Sequence, residues 1–97
     1  MSDNMLIISF DELCESHHIQ QEFIIEIVDY GIAKPISGDS ADQWQFETAS
    51  VPWLKKAIDL YTMLEMDWFA VAMIIELLKQ KEALAKENTQ LKRRLER

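Results

Sequence analysis

A chain of 97 residues makes one domain. At that size only about two thirds of the unfolded surface is buried on folding, so a thin core without a deep substrate cavity is expected, which suits an interaction module better than an enzyme. The formal net charge of −7 is uneven: residues 1–66 hold twelve acids and three bases, residues 67–97 five acids and seven bases. An acidic body keeps a small protein in solution; it also repels phosphate backbones and attracts basic partner surfaces, which argues against nucleic-acid binding through residues 1–66.

One cysteine, Cys14, allows no internal disulfide. The start, Met1-Ser2-Asp3-Asn4, lacks the basic opening of a signal peptide. The longest apolar run, residues 68–75, is far too short to span a membrane. A cytoplasmic protein with no membrane association is expected.

In chain order, Met5-Leu6-Ile7-Ile8 is a short β-prone run. Ser9 and Glu12 form a capping box, S-x-x-E, that opens a first helix carrying Phe10, Leu13, Cys14 and His17 at helical spacing. A tight turn at His18-Ile19 leads into a second helix from about Gln20, with Phe23, Ile24, Ile27 and Val28 facing inward and Gly31 as its left-handed stop. Two helices joined by so short a turn read as helix-turn-helix.

Residues 32–36 are extended before Pro35, residues 37–42 are a turn cluster and Trp44-Gln45-Phe46 alternates as a strand, which predicts a two-stranded hairpin, or wing. A third helix opens at Glu47-Thr48 with Pro52 in its first turn; its inward face is read as Leu54, Ala57, Ile58, Tyr61 and Leu64. Asp67 caps a last helix running to the C-terminus. The domain division is therefore a body over residues 1–66 and a long helix over residues 67–97, together one structural domain.

Trp68, Ala72 and Ile75 of the last helix are assigned to the body. The remainder has heptad order, with Leu77, Leu84 and Leu91 at one position and Ile74, Lys81, Asn88 and Leu95 at the other. So small a body cannot bury such a stripe. A homodimer is expected, with Ile74, Leu77, Leu84, Asn88, Leu91 and Leu95 in its seam.

Cys14-x-x-His17-His18 has metal-ligand residue types, but no second ligand cluster completes a four-ligand site. Cys14 is read as a buried thiol beside Phe10 and Leu13. No glycine loop suited to phosphate exists, so no metal or cofactor and no catalytic residue is assigned. Met63, Met66 and Met73, with Trp53, Trp68 and Phe69, suit either a sticky surface or core filler; their spacings favour core.

The second helix offers Glu22, Glu26 and Asp29 and no base to a DNA groove, where recognition needs cations and donors. The three acids, spaced by four and three, share one face. The expected partner-binding residues are Glu22, Glu26 and Asp29, extended by Glu15 and anchored by Ile25 and Tyr30.

Helix-turn-helix, wing, helix and long helix occur here in the order of the MerR-type regulators, and the chain resembles the CbpM-like chaperone modulators among them. The resemblance is carried by Phe10-x-Glu12-x-Cys14, Glu26-Ile27-Val28-x-x-Gly31, Pro35, Trp44-x-Phe46, Met66-Asp67-Trp68 with Ala70 and Ala72, and Glu87-Asn88-x-x-Leu91-x-x-Arg94-Leu95. It implies a mainly α, MerR-like winged helix-turn-helix fold with a small β-hairpin wing and a long C-terminal coiled-coil helix. It also implies a non-enzymatic partner of a DnaJ-like co-chaperone (CbpA), which binds its J-domain, stops it from stimulating the chaperone DnaK and restrains its DNA binding.

Two departures from the wider MerR pattern stand out. His18 replaces the usual turn glycine, and Gln43-Trp44-Gln45-Phe46 lacks the usual wing arginine. No effector-sensing domain follows the long helix, so no small-molecule inducer is expected. The alternative reading is a short MerR-like transcriptional regulator, kept open by the basic residues Lys92, Arg93, Arg94 and Arg97; a coiled-coil adaptor is a third.

Overall fold

The computed structural model describes residues 6–95. Met1 to Met5 and Arg97, used in the sequence reading, lie outside the described residues. Strand β1 (Ile7–Ser9) runs into helix α1 (Phe10–Ser16). The capping box is formed at this junction: the Glu12 amide donates to Ser9 Oγ at 3.1 Å and the Ser9 amide donates to Glu12 Oε1 at 3.0 Å, so two otherwise orphaned donors are satisfied reciprocally. His18 takes a left-handed conformation (φ 55°), which lets the Ile19 amide reach back to the Leu13 carbonyl at 3.3 Å and buries Ile19.

Helix α2 (Gln21–Asp29) follows. Ile24 and Ile27 are fully buried, while Phe23 and Val28 are half-buried against the same core. At its end the Gly31 amide donates to the Val28 carbonyl and the Ile32 amide to the Ile27 carbonyl, with Gly31 at φ 74°. This Schellman arrangement is the stop that Gly31 predicts.

The wing is present, but its main ladder is not between the two arms predicted. Strand β2 (Gln45–Glu47) pairs antiparallel with β1, in the register Ile7↔Glu47, Ile8↔Phe46, Ser9↔Gln45. The preceding arm contributes one isolated bridge, Ser37↔Gln45. Ile32 and Ala33 are drawn into the core by the α2 cap, and Pro35 has no amide to give a ladder, so only the last residues of the arm reach β2. Gly38 (φ 110°) turns the chain where a Cβ would run into the Gln43 backbone carbonyl. Phe46, fully buried, carries the sheet into the core.

Helix α3 (Val51–Met63) enters through one turn of 3-10 helix at Thr48–Ser50 and carries Pro52 in its first turn. Leu54 and Ala57 are fully buried, and Ile58 and Tyr61 pack at the edge of the core. Leu64, read as an inward residue, is instead exposed: α3 ends at Met63, and the turn through Glu65 (φ 53°) takes Leu64 off the helical stripe.

Helix α4 (Trp68–Leu95) starts where the Ala70 amide donates to Asp67 Oδ1 at 2.9 Å. Its first turns join the body's core through Trp68, Val71 and Ile75. The Trp68 ring stacks on Tyr61 with centroids 4.1 Å apart, and Phe23 packs against both. Farther along, Lys79 Nζ donates to the Ile32 carbonyl at 3.1 Å and lies 5.5 Å from the Trp53 ring centroid. That contact ties α4 to the end of α2 and to α3 at once. Among the described residues, no helix is long and apolar enough to cross a membrane.

Candidate partner-binding surface

On α2, Glu22 and Asp29 are exposed and Glu26 and Ile25 are half-buried, with the apolar residues Ile24 and Ile27 on the opposite face. Glu15 is exposed on α1. Asp29 occupies the last turn of α2, which carries no base. A carboxylate there opposes the helix macrodipole, at about 0.3–1 kcal/mol, so helix stability does not explain the acid at that position.

Cys14 links the two helices electrostatically. The thiol is half-buried against the core, and burial first, then the charges of Asp11, Glu15 and Glu22, push its pKa above the ordinary thiol value. Glu15 of α1 and Glu22 of α2 thus both act on Cys14. A half-buried thiol held neutral alkylates slowly near neutral pH. The double variant Glu15→Gln, Glu22→Gln is expected to shift the rate profile of Cys14 alkylation to lower pH, because removing nearby negative charge eases thiolate formation. A profile that does not move would separate these carboxylates from Cys14.

Among the described residues, no three His, Cys, Asp or Glu side chains form a group that could hold a metal ion. His17 and His18 line a surface hollow with Lys55, Asp59 and the apolar side chains of Phe23 and Ile58.

A groove of about 360 Å³ lies between the end of α2 and α4, lined by Tyr30, Phe69, Ala72, Met73, Glu76 and Leu77. Tyr30 therefore opens toward α4. Phe69 is 66% exposed and Met73 54%, and Met63 is exposed as well. The reading of these three as core filler is overturned: α4 meets the body with Trp68, Val71 and Ile75, which leaves Phe69 and Met73 off the buried stripe and exposed beside Tyr30. Sequence reasoning missed Phe69 and Met73 as surface groups, although their spacing of four, continued at Leu77, marks a second helical stripe.

Of the expected seam, Ile74 is half-buried, and Leu77, Leu84, Asn88, Leu91 and Leu95 are all exposed. The body covers none of this stripe beyond Ile74.

A model of the MerR helix-turn-helix family of regulatory proteins matches residues 8–93. The chaperone modulatory protein CbpM of Pseudomonas entomophila is 38% identical over 94 residues, which cover 95% of this chain and 92% of that protein. The protein of the same name from Pseudomonas putida matches at 38% over the same shares. The CbpM of Salmonella paratyphi B is 31% identical over 97 residues, 100% of this chain and 95% of that protein. The chain belongs to the CbpM family of MerR-type helix-turn-helix proteins. In this family member the recognition-helix position is occupied by α2, whose ionisable side chains are all acidic.

Proposed function

We infer that this chain is a non-enzymatic modulator of a chaperone system in the cytoplasm, and that it works by binding the J-domain of a DnaJ-like, CbpA-type co-chaperone. Binding would prevent the co-chaperone from stimulating DnaK and would restrain its DNA binding. The names of the relatives, chaperone modulatory proteins, support the general role. The feature that supports the finer reading is the row of acids Glu22, Glu26 and Asp29 along one side of α2, with Glu15 exposed on α1, on a helix-turn-helix scaffold. J-domains present a basic helix to DnaK, and a surface of opposite sign steers such a helix and competes for it. The acting species is a homodimer joined through the exposed stripe of α4.

The test uses the full chain and the J-domain protein from the same genome. The two are expected to co-purify, and the chain is expected to reduce J-stimulated DnaK ATPase while leaving basal ATPase unchanged. No co-purification and no effect on the ATPase would reject the reading.

A second reading, a short transcriptional regulator, draws on the family description and on the basic run Lys92-Arg93-Arg94. It requires a gel shift of duplex DNA that weakens steeply with salt; the acidic α2 predicts none at physiological salt.

A further inference from the structure

We propose that the groove between Tyr30 and α4 is the apolar anchor of the co-chaperone interface and takes the apolar stripe of a basic amphipathic helix. This rests on the chaperone-partner reading and assigns it a second, chemically different half.

The acidic face of α2 is short of anchoring groups. Ile24 and Ile27 are fully buried and Ile25 is half-buried, so the face offers charge without much free apolar surface. Charge of this kind governs encounter rate and salt dependence rather than residence time. The missing apolar surface lies one residue further on. Asp29 ends the acidic face and Tyr30, 46% exposed, begins the wall of the groove; Phe69, Met73 and Leu77 form the opposite wall along α4.

Glu76 is the one acidic side chain among these lining groups, and among the described residues no base lines the groove. An apolar floor with an acidic rim complements a helix that carries leucines or aromatics on one stripe and lysines or arginines beside it, the helix-in-groove mode of recognition. Tyrosine, phenylalanine and methionine are the side chains enriched in such interfaces, methionine because it repacks around varied shapes. Beyond Leu77, which closes the groove, the chemistry of α4 changes: Leu84 and Leu91 follow it at seven-residue intervals, the pattern that suits a second helix like itself. The groove meets that repeat only at Leu77; its other lining groups, Tyr30, Phe69, Ala72, Met73 and Glu76, stand outside the seam positions.

The test compares Phe69→Glu and Met73→Glu with Glu22→Lys in the full chain. Both groove positions are more than half exposed, and each variant is first shown to keep the parent's melting midpoint. The groove variants are expected to weaken J-domain binding at least tenfold, mainly through faster dissociation. Glu22→Lys is expected to slow association and flatten its salt dependence.

A photoactivatable group attached at Met73→Cys in a Cys14→Ser background is expected to form its adduct with the J-domain when the complex is irradiated. Folded groove variants that bind like the parent overturn the proposal and leave the acidic-face reading standing. An adduct with a second copy of the chain, persisting when the J-domain is bound, overturns it as well and gives the groove to the dimer. A parent chain that does not bind the J-domain sinks both readings together.

Discussion

The triple variant Glu22→Lys, Glu26→Lys, Asp29→Lys is expected to fold like the parent and to lose inhibition of J-stimulated DnaK ATPase. Retained folding follows from local energetics. Glu22 and Asp29 are exposed and Glu26 is half-buried, and among the described residues none of the three forms a salt bridge. Glu22→Lys places a cation in the first turn of α2, which the macrodipole disfavours by about 0.3–1 kcal/mol, while Asp29→Lys places one in the last turn, where it is favoured by a similar amount. The two nearly cancel. Binding, in contrast, changes sign at three points of one face. Steering by such a patch raises association rates by roughly 10- to 1,000-fold, and like-charge juxtaposition adds repulsion in the bound state. Loss of inhibition with an unchanged melting midpoint is therefore the expected pair of measurements. A folded triple variant that inhibits like the parent would discard the acidic-face mechanism; the wing around Trp44 and helix α3 then become the surfaces to test.

If the chain dimerises through α4 as proposed, replacing Leu84 and Leu91 with Asp is expected to leave a folded monomer. Both leucines are exposed on α4, at 59% and 50%, so neither supports the body's own core. In a dimer each would transfer into an apolar seam, at about 1.5–3 kcal/mol for a side chain fully buried. A symmetric dimer counts every substitution twice. Carboxylates there would also have to be desolvated without partners. The dissociation constant should rise by a factor well above ~1,000, since each 1.4 kcal/mol is tenfold. Sedimentation or light scattering at tens of micromolar reads the result, and circular dichroism checks that the monomer keeps its helices. A monomeric mass for the parent chain under those conditions would remove the dimer from the account.

Much of this architecture is legible in the sequence because the signals are local. Ser9 and Glu12 form a capping box from contacts three residues apart, Gly31 supplies the left-handed stop of α2, and Asp67 caps α4; each depends only on side chains within one turn of the backbone they satisfy. The inward residues Ile24, Ile27, Leu54, Ala57, Trp68 and Ile75 follow from helical period for the same reason. The shared face of Glu22, Glu26 and Asp29 follows from that period too.

What the sequence leaves open depends on distant segments meeting. The strand that pairs with β2 is β1, some forty residues earlier in the chain, because the nearer arm is pulled inward at Ile32 and Ala33 and carries a proline. Ladder partners are chosen by competition among all available edges, which no local window contains. Leu64 leaves the core because the turn through Glu65 ends α3 before it. Likewise Phe69 and Met73 read as core filler until the rotation of α4 is fixed. An amphipathic helix with apolar residues on two faces can turn either one inward, and here the stacking of Trp68 on Tyr61 and the Lys79 contacts to Ile32 and Trp53 select the face with Val71 and Ile75. That choice leaves the other stripe exposed beside Tyr30 and so creates the groove, a feature made by two helices whose side chains are forty residues apart in sequence and adjacent only after packing.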